Sequence, residues 1–165
     1  MEKTFIIAVY VDNQAGVLTR VTAMFTRRGF NIDTLTVGET ERSEYSRITI
    51  CMRGDDNVKA QIVNQLKKLI VVKGVEVLED EPTKRELMLI KVQNNAQFRN
   101  DIMTAVDVFR ASVIDYSTEG MCIEVTGAPS KIDAFVKLMQ PFGILEMCRT
   151  GIVALERGTA TLFSK

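Results

Sequence analysis

The sequence predicts an α+β chain built from two βαββαβ units in tandem, and three observations carry that reading. Apolar runs suited to strands alternate with stretches whose apolar residues recur at helical spacing. The order strand, helix, strand, strand, helix, strand occurs twice. Between the two occurrences lies an acidic, proline-bearing stretch, Glu79-Asp80-Glu81-Pro82. Each half of the 165-residue chain is therefore a ferredoxin-like split βαβ unit, with expected domains at 1–80 and 81–165. A unit of this size buries only about 60% of the surface its unfolded chain exposes, so packing between halves or between subunits is expected.

The elements follow in order. Phe5 to Val11 is apolar at nearly every position, the mark of a central strand buried on both faces. Val17, Val21, Met24 and Phe25, with Leu18 beside them, form a helical stripe that Gly29 stops. Ile32 to Gly38 is rich in Thr, Val, Leu and Ile. Tyr45 to Arg53 alternates, Ile48, Ile50 and Met52 against Arg47, Thr49 and Arg53, so the two runs form a hairpin pair. Asp55 or Asp56 caps a second helix with the stripe Val58, Ile62, Leu66 and Leu69, and Val71 to Leu78 closes the half. In the second half, Glu86 to Gln93 is a strand, and Phe98, Ile102, Val106 and Phe109 mark a helix. Val113 to Tyr116 and Met121 to Gly127 are short strands. A helix with Ile132, Phe135, Val136 and Met139 follows Pro129, and Ile144 to Leu155 supplies closing extended structure. The unpaired edge at Ile32 to Gly38 is free to meet a copy of itself across a two-fold axis.

Composition removes several function classes. Lys plus Arg equals Asp plus Glu, 21 against 21, so no global charge favours nucleic acid. The pairs Arg27-Arg28 and Lys67-Lys68 are read as solvated helix faces. The chain has no histidine, which excludes His-based triads, HExxH zinc sites and imidazole acid–base catalysis. Cys51, Cys122 and Cys148 are far apart and sit in apolar or alternating segments, as buried reduced thiols would. No apolar run approaches the roughly 20 residues that span a bilayer. The start, Met1-Glu2-Lys3-Thr4, lacks the pattern of a signal peptide, so a cytoplasmic location is expected.

The stretch from Asp12 to Val37 carries the chemistry. Asp12-Asn13-Gln14-Ala15-Gly16 delivers a strand directly into a helix, whose first N–H groups lack intrahelical partners and carry the positive end of the helix dipole. Such a junction suits a carboxylate or phosphate, and Gly16 allows a ligand close to the backbone. A turn with no ligand at all is equally compatible with these residues.

At this point the residues resemble a known family. Asn13-x-x-Gly16-x-Leu18 between strand and helix resembles an ACT domain, the ferredoxin-like module that binds amino acids and regulates metabolic enzymes. Arg27 to Val37, Ser46 to Ile50, Gln65 to Ile70, Arg85 to Val92, Phe109 to Asp115 and the ending Arg149 to Gly158 look like the small regulatory subunit of acetohydroxyacid synthase, also called acetolactate synthase. The match runs in order along nearly the whole chain. Val71 departs from it, standing where the family commonly has an acid.

The resemblance implies a chain with no catalysis and no cofactor of its own. Its partner would be a large catalytic subunit carrying thiamine diphosphate, Mg and FAD, which condenses pyruvate to acetolactate in branched-chain amino acid biosynthesis. The small subunit, a homodimer, would raise that activity and make it sensitive to valine. Carried over by position, the effector site would use Asn13, Ala15, Gly16, Val17 and Leu18 of one ACT domain and Asn31 and Ile32 of the other. The C-terminal half is expected to dimerise or transmit the signal. The residues agree with this chemistry: the helix start can hold a carboxylate, Val17, Leu18 and Ile32 can line a short aliphatic chain, and the two asparagines offer amides. Two other readings stay open here. One is an acylphosphatase-type enzyme using Gly16, Arg20 and Asn31 on phosphate, and the other is a stand-alone ACT-type sensor acting on another enzyme or on transcription.

Overall fold

The computed structural model describes residues 3–79 and 81–161. They fall into two compact units: the chain up to Thr83 together with the stretch from Ile152 onward, and Lys84–Gly151.

The first unit contains β1 (Lys3–Asp12), α1 (Val17–Arg27), β2 (Thr34–Glu39), β3 (Tyr45–Gly54), α2 (Asp56–Leu66) and β4 (Val72–Leu78). Its sheet has the order β2-β3-β1-β4 with every neighbouring pair antiparallel. β1 is central because both its faces are apolar. Ile7, Val9 and Val11 join Ile48, Ile50 and Met52 of β3 and meet Val21 and Phe25 of α1 and Ile62 and Leu66 of α2. The alternate residues Ile6 and Ala8 lie on the other face with Cys51, Leu78, Ile152 and Ala154. That continuous apolar run in β1 is therefore the sequence of a strand with a layer on each side.

The ends of the two helices follow from single residues. Asp55 caps α2, its Oδ1 accepting from the Val58 N–H at 2.8 Å. Gly29, at φ 68, closes α1: the Gly29 N–H donates to Thr26 O and the Phe30 N–H to Phe25 O, the paired bonds of a Schellman motif.

The second unit contains β5 (Thr83–Gln93), α3 (Arg99–Val108), β6 (Ser112–Tyr116), β7 (Gly120–Gly127), α4 (Pro129–Met139), a short 3-10 turn (Gln140–Phe142) and β8 (Ile144–Arg149). The order β6-β7-β5-β8 repeats that of the first unit. Met88, Ile90 and Val92 of β5 pack with Ile102 and Val106 of α3 and with Ile132, Phe135 and Met139 of α4. Phe109 meets Phe135 edge to face at 5.2 Å between ring centroids.

A last strand, β9 (Val153–Leu155), follows. The closing stretch expected from Ile144 to Leu155 thus divides at Gly151, which turns at φ 81. β8 ends the strand order β6-β7-β5-β8 and β9 pairs off that path, while the side chains of Ile152 and Ala154 join Ile6, Ala8, Cys51 and Leu78 on the apolar face of the first sheet. The Arg47 Nη2 donates to Ala154 O at 2.7 Å and the Arg157 Nε to Glu81 O at 2.8 Å, so the residues beyond Gly151 group with the first unit and not with the 81–165 range read from the sequence.

The cysteines also differ from expectation. All three are free, but only Cys51 is buried; Cys122 is half-buried and Cys148 exposed. Cys148 stands opposite Leu89 and Cys122 opposite Lys91, on the sheet face turned away from Met88 and Ile90. Alternation placed them on one face, and that face is the outer one. Among the described residues no helix is long and apolar enough to cross a membrane.

Candidate functional site

The turn between β1 and α1 is held open from below. The Asn13 N–H donates to Glu44 O at 2.9 Å and its Nδ2 to Ser43 O at 2.9 Å, while Ser46 Oγ donates to Asn13 Oδ1 at 3.1 Å. Asn13 therefore fastens the turn to the β2–β3 connection with both ends of its amide. Gly16 is the N-cap residue of α1, left-handed at φ 84 and ψ −6, with no side chain capping the helix. Among the described residues nothing accepts from the N–H groups of Leu18 and Thr19. They are the open donors of a first helical turn.

The charges around the turn favour an anion. Asp12, the acid nearest to it in sequence, is paired with Lys73 Nζ at 3.2 Å. The first turn of α1 has no acidic residue. Val17 is buried in the core, whereas Leu18 is 42% exposed and therefore faces outward beside the open N–H groups. Ala15 and Gly16 are exposed as well. The arrangement offers a carboxylate two backbone donors, the helix dipole and a neighbouring aliphatic side chain.

Asn31 and Ile32 are elsewhere. The register pairs Thr34 with Cys51 and Glu39 with Ser46, while Asp12 at the end of β1 pairs with Tyr45. The turn thus lies at the Ser46 end of the sheet and Asn31 at the Cys51 end, five residue steps or about 17 Å away along the strands. At that end the Asp33 carboxylate forks onto Arg53, both bonds at 3.1 Å, and the Asp33 N–H donates to Cys51 O. Asn31 is exposed and Ile32 packs at the margin of the core. One chain brings Asn13, Ala15, Gly16, Val17 and Leu18 together and holds Asn31 and Ile32 apart from them.

The second unit has a counterpart to Asn13. The Asn94 N–H donates to Glu119 O and its Nδ2 to Ser117 O, so the β5–α3 turn is tied to the β6–β7 connection in the same way. Sequence reading missed it because no glycine follows at the helix start, although an asparagine directly after the first strand of each half was visible. Here the mouth is filled from within. Arg99 Nε donates to Asn94 Oδ1 at 2.8 Å, and its guanidinium lies 6.0 Å from the Tyr116 ring centroid. The open turn is a property of the first unit.

Comparison with known proteins finds two family matches along the chain. Residues 7–74 match the model of the acetohydroxyacid synthase small subunit-like ACT domain, and residues 85–158 match that of the small subunit of acetolactate synthase. The chain is 47% identical over 156 residues to the acetolactate synthase small subunit of Mycolicibacterium smegmatis, covering 94% of this chain and 92% of that one. It is 47% identical over 152 residues to a probable acetolactate synthase small subunit of Archaeoglobus fulgidus, covering 92% and 96%. The crystal structure of the acetolactate synthase small subunit from Thermotoga maritima superposes with a TM-score of 0.89 at 39% identity, over 96% of this chain and 99% of that one. The tandem units, the ACT-type first domain and this similarity along the whole length have one meaning: the chain belongs to the family of acetolactate synthase small subunits.

Proposed function

We propose that the chain is a cytoplasmic, homodimeric regulatory subunit that activates a large acetolactate synthase subunit and makes it sensitive to valine. Thiamine diphosphate, Mg and FAD would belong to that partner; no residue of this chain is assigned to hold them, and its own part is to bind the effector and transmit occupancy. The effector's carboxylate lies on the Leu18 and Thr19 N–H groups, and its side chain lies against Leu18. Ile32 and the Asn31 amide come from the second copy.

The observation that carries this reading is the bare, left-handed Gly16 turn at the start of α1. The sheet supports the part given to a second copy. β2 is an edge strand, and Asn31 and the turn occupy opposite ends of it. Antiparallel pairing of β2 with its own copy across a two-fold axis sets the Asn31 end of one chain beside the turn end of the other. A parallel pairing would leave both sites incomplete.

The test is calorimetric titration of valine into the purified chain beside an assay of the reconstituted mixture with the large subunit. Binding near one valine per chain, activation without valine and inhibition with it are expected. A monomer in light scattering with valine present, or acetolactate formation by the chain alone, would overturn the proposal.

A further inference from the structure

Between α1 and α2 the first unit has a trough of about 560 Å³, floored by Met24 and Leu69 and rimmed by Arg20, Arg27, Arg28 and Lys68. No acidic residue lines it. Among the described residues none of the four cations has an ion pair or a side-chain hydrogen bond. In a chain of zero formal net charge this is a local concentration of unanswered positive charge. Arg27, Arg28 and Lys68 sit at helix C-termini, where a cation complements the dipole and needs no other reason. Arg20 has no such reason. It is near the N-terminal end of α1, where the dipole disfavours a cation, and it still lines the same trough. Arg20 and Arg27 are seven residues apart with Met24 between them, one stripe running along the helix for about 10 Å.

We infer that this trough is where the chain docks an acidic segment of the large catalytic subunit. The inference rests on the partner named under the proposed function. An elongated, half-open concavity with cations along its rim and methionine and leucine on its floor fits an extended or helical segment with carboxylates on its flanks and apolar residues between them. The other sheet face of the unit is covered by Ile152 and Ala154.

The experiment compares the wild-type chain with Arg20→Gln/Arg27→Gln/Lys68→Gln, each reconstituted with the large subunit, by sedimentation and activity at rising salt. These side chains contribute nothing to the core, and thermal unfolding with circular dichroism checks that the variant folds. The expected result is roughly ten-fold or more weaker association for the variant, and a shallower loss with salt than in the wild type. A variant that associates as the wild type does overturns the trough alone. A wild-type chain that never associates removes the partner, and with it both this inference and the proposed function. If inorganic triphosphate binds the wild-type chain saturably while association ignores the substitutions, the trough is a small-anion site and the inference is overturned.

Discussion

Ser46 Oγ donates to Asn13 Oδ1 at 3.1 Å across 33 positions of sequence, so the shape of the turn before α1 depends on the third strand. Ser46 is only 8% exposed. Ser46→Ala should lower stability by about 1 kcal/mol, the ordinary contribution of one such bond. Valine affinity should fall several-fold as the turn loosens, and Asn13→Ala, which also releases Ser43 O, should weaken it more. Urea unfolding and calorimetry measure the two effects separately. Wild-type affinity in Asn13→Ala would show that the turn keeps its shape without the tie.

Gly16 is the second test. A Cβ there meets nothing within 4 Å, so substitution is opposed by the left-handed backbone and not by crowding. Gly16→Ala should destabilise by about 1 kcal/mol. Gly16→Asp should be milder, since Asp tolerates this conformation better and its charge suits a helix start. Yet Asp also supplies the very charge that the open N–H groups would otherwise take from a ligand. The aspartate variant should fold, activate the partner and resist valine, while the alanine variant keeps measurable valine binding. Equal valine affinity in Gly16→Asp and wild type would move the effector away from this turn.

The proposed composite site permits a complementation experiment. Gly16→Asp and Asn31→Ala chains should each bind valine poorly as homodimers. In a mixed dimer one site carries both substitutions and the other carries neither, and random pairing makes about half of the dimers mixed, so equal mixing followed by refolding should restore about half a wild-type site per dimer over the whole population. Calorimetry reads the stoichiometry. No recovery would mean that Gly16 and Asn31 do not act across the subunit boundary.

Glu86 is 2% exposed and is gripped by Arg149 at 2.6 and 2.8 Å, with Asp133 taking the third contact at 2.9 Å. Removing the cation strands a buried carboxylate. Arg149→Leu should cost about 3 kcal/mol, whereas Glu86→Leu/Arg149→Leu should recover most of it. The Glu86 carboxylate holds the Arg149 guanidinium protonated well above its ordinary range. For a group whose folded pKa is raised, stability is present below the unfolded value and lost only as pH rises past it, here in strong alkali. No pH dependence of the second unit should therefore arise from Arg149 near neutrality. Denaturant unfolding of the two variants at pH 6 and 9 checks both statements.

Arg110 follows α3 as Gly29 follows α1, with the same paired bonds, Arg110 N–H to Asp107 O and Ala111 N–H to Val106 O. Its φ of 51 puts a Cβ where the first unit uses glycine. Arg110→Gly should raise the stability of the second unit by about 0.5–1 kcal/mol, strain relief exceeding the entropy lost on fixing glycine. An unchanged or lower unfolding temperature would show that the Arg110 side chain contributes more than its backbone costs.

Much of the fold was legible because burial leaves a period in the sequence. The continuous apolar run of β1, the stripe of Val17, Val21, Met24 and Phe25, the Asp55 cap and the Gly29 stop each act within a few residues of themselves, and each was found where the sequence placed it. The turn at Gly16 was legible for the same reason, since a strand end, a glycine and a helix start are neighbours in the chain.

Other features depend on residues distant in sequence that meet only when the chain has folded. Alternation could assign Cys122 and Cys148 to one face but not say that the face is open. The two basic pairs are exposed, as the sequence indicated, but only the packing of α1 beside α2 brings Arg27, Arg28 and Lys68 to one trough. Ile152 and Ala154 follow β8 directly, yet the apolar face that covers them belongs to the first strand pair. Asn31 and Gly16 share a motif of nearby residues, and the antiparallel register places them at opposite ends of a sheet. By itself the sequence determined which residues each element buries, because that depends on periodicity along one segment. Which buried faces meet, and which exposed charges converge, was decided by strand order and register, since contacts between distant segments leave no local period to read.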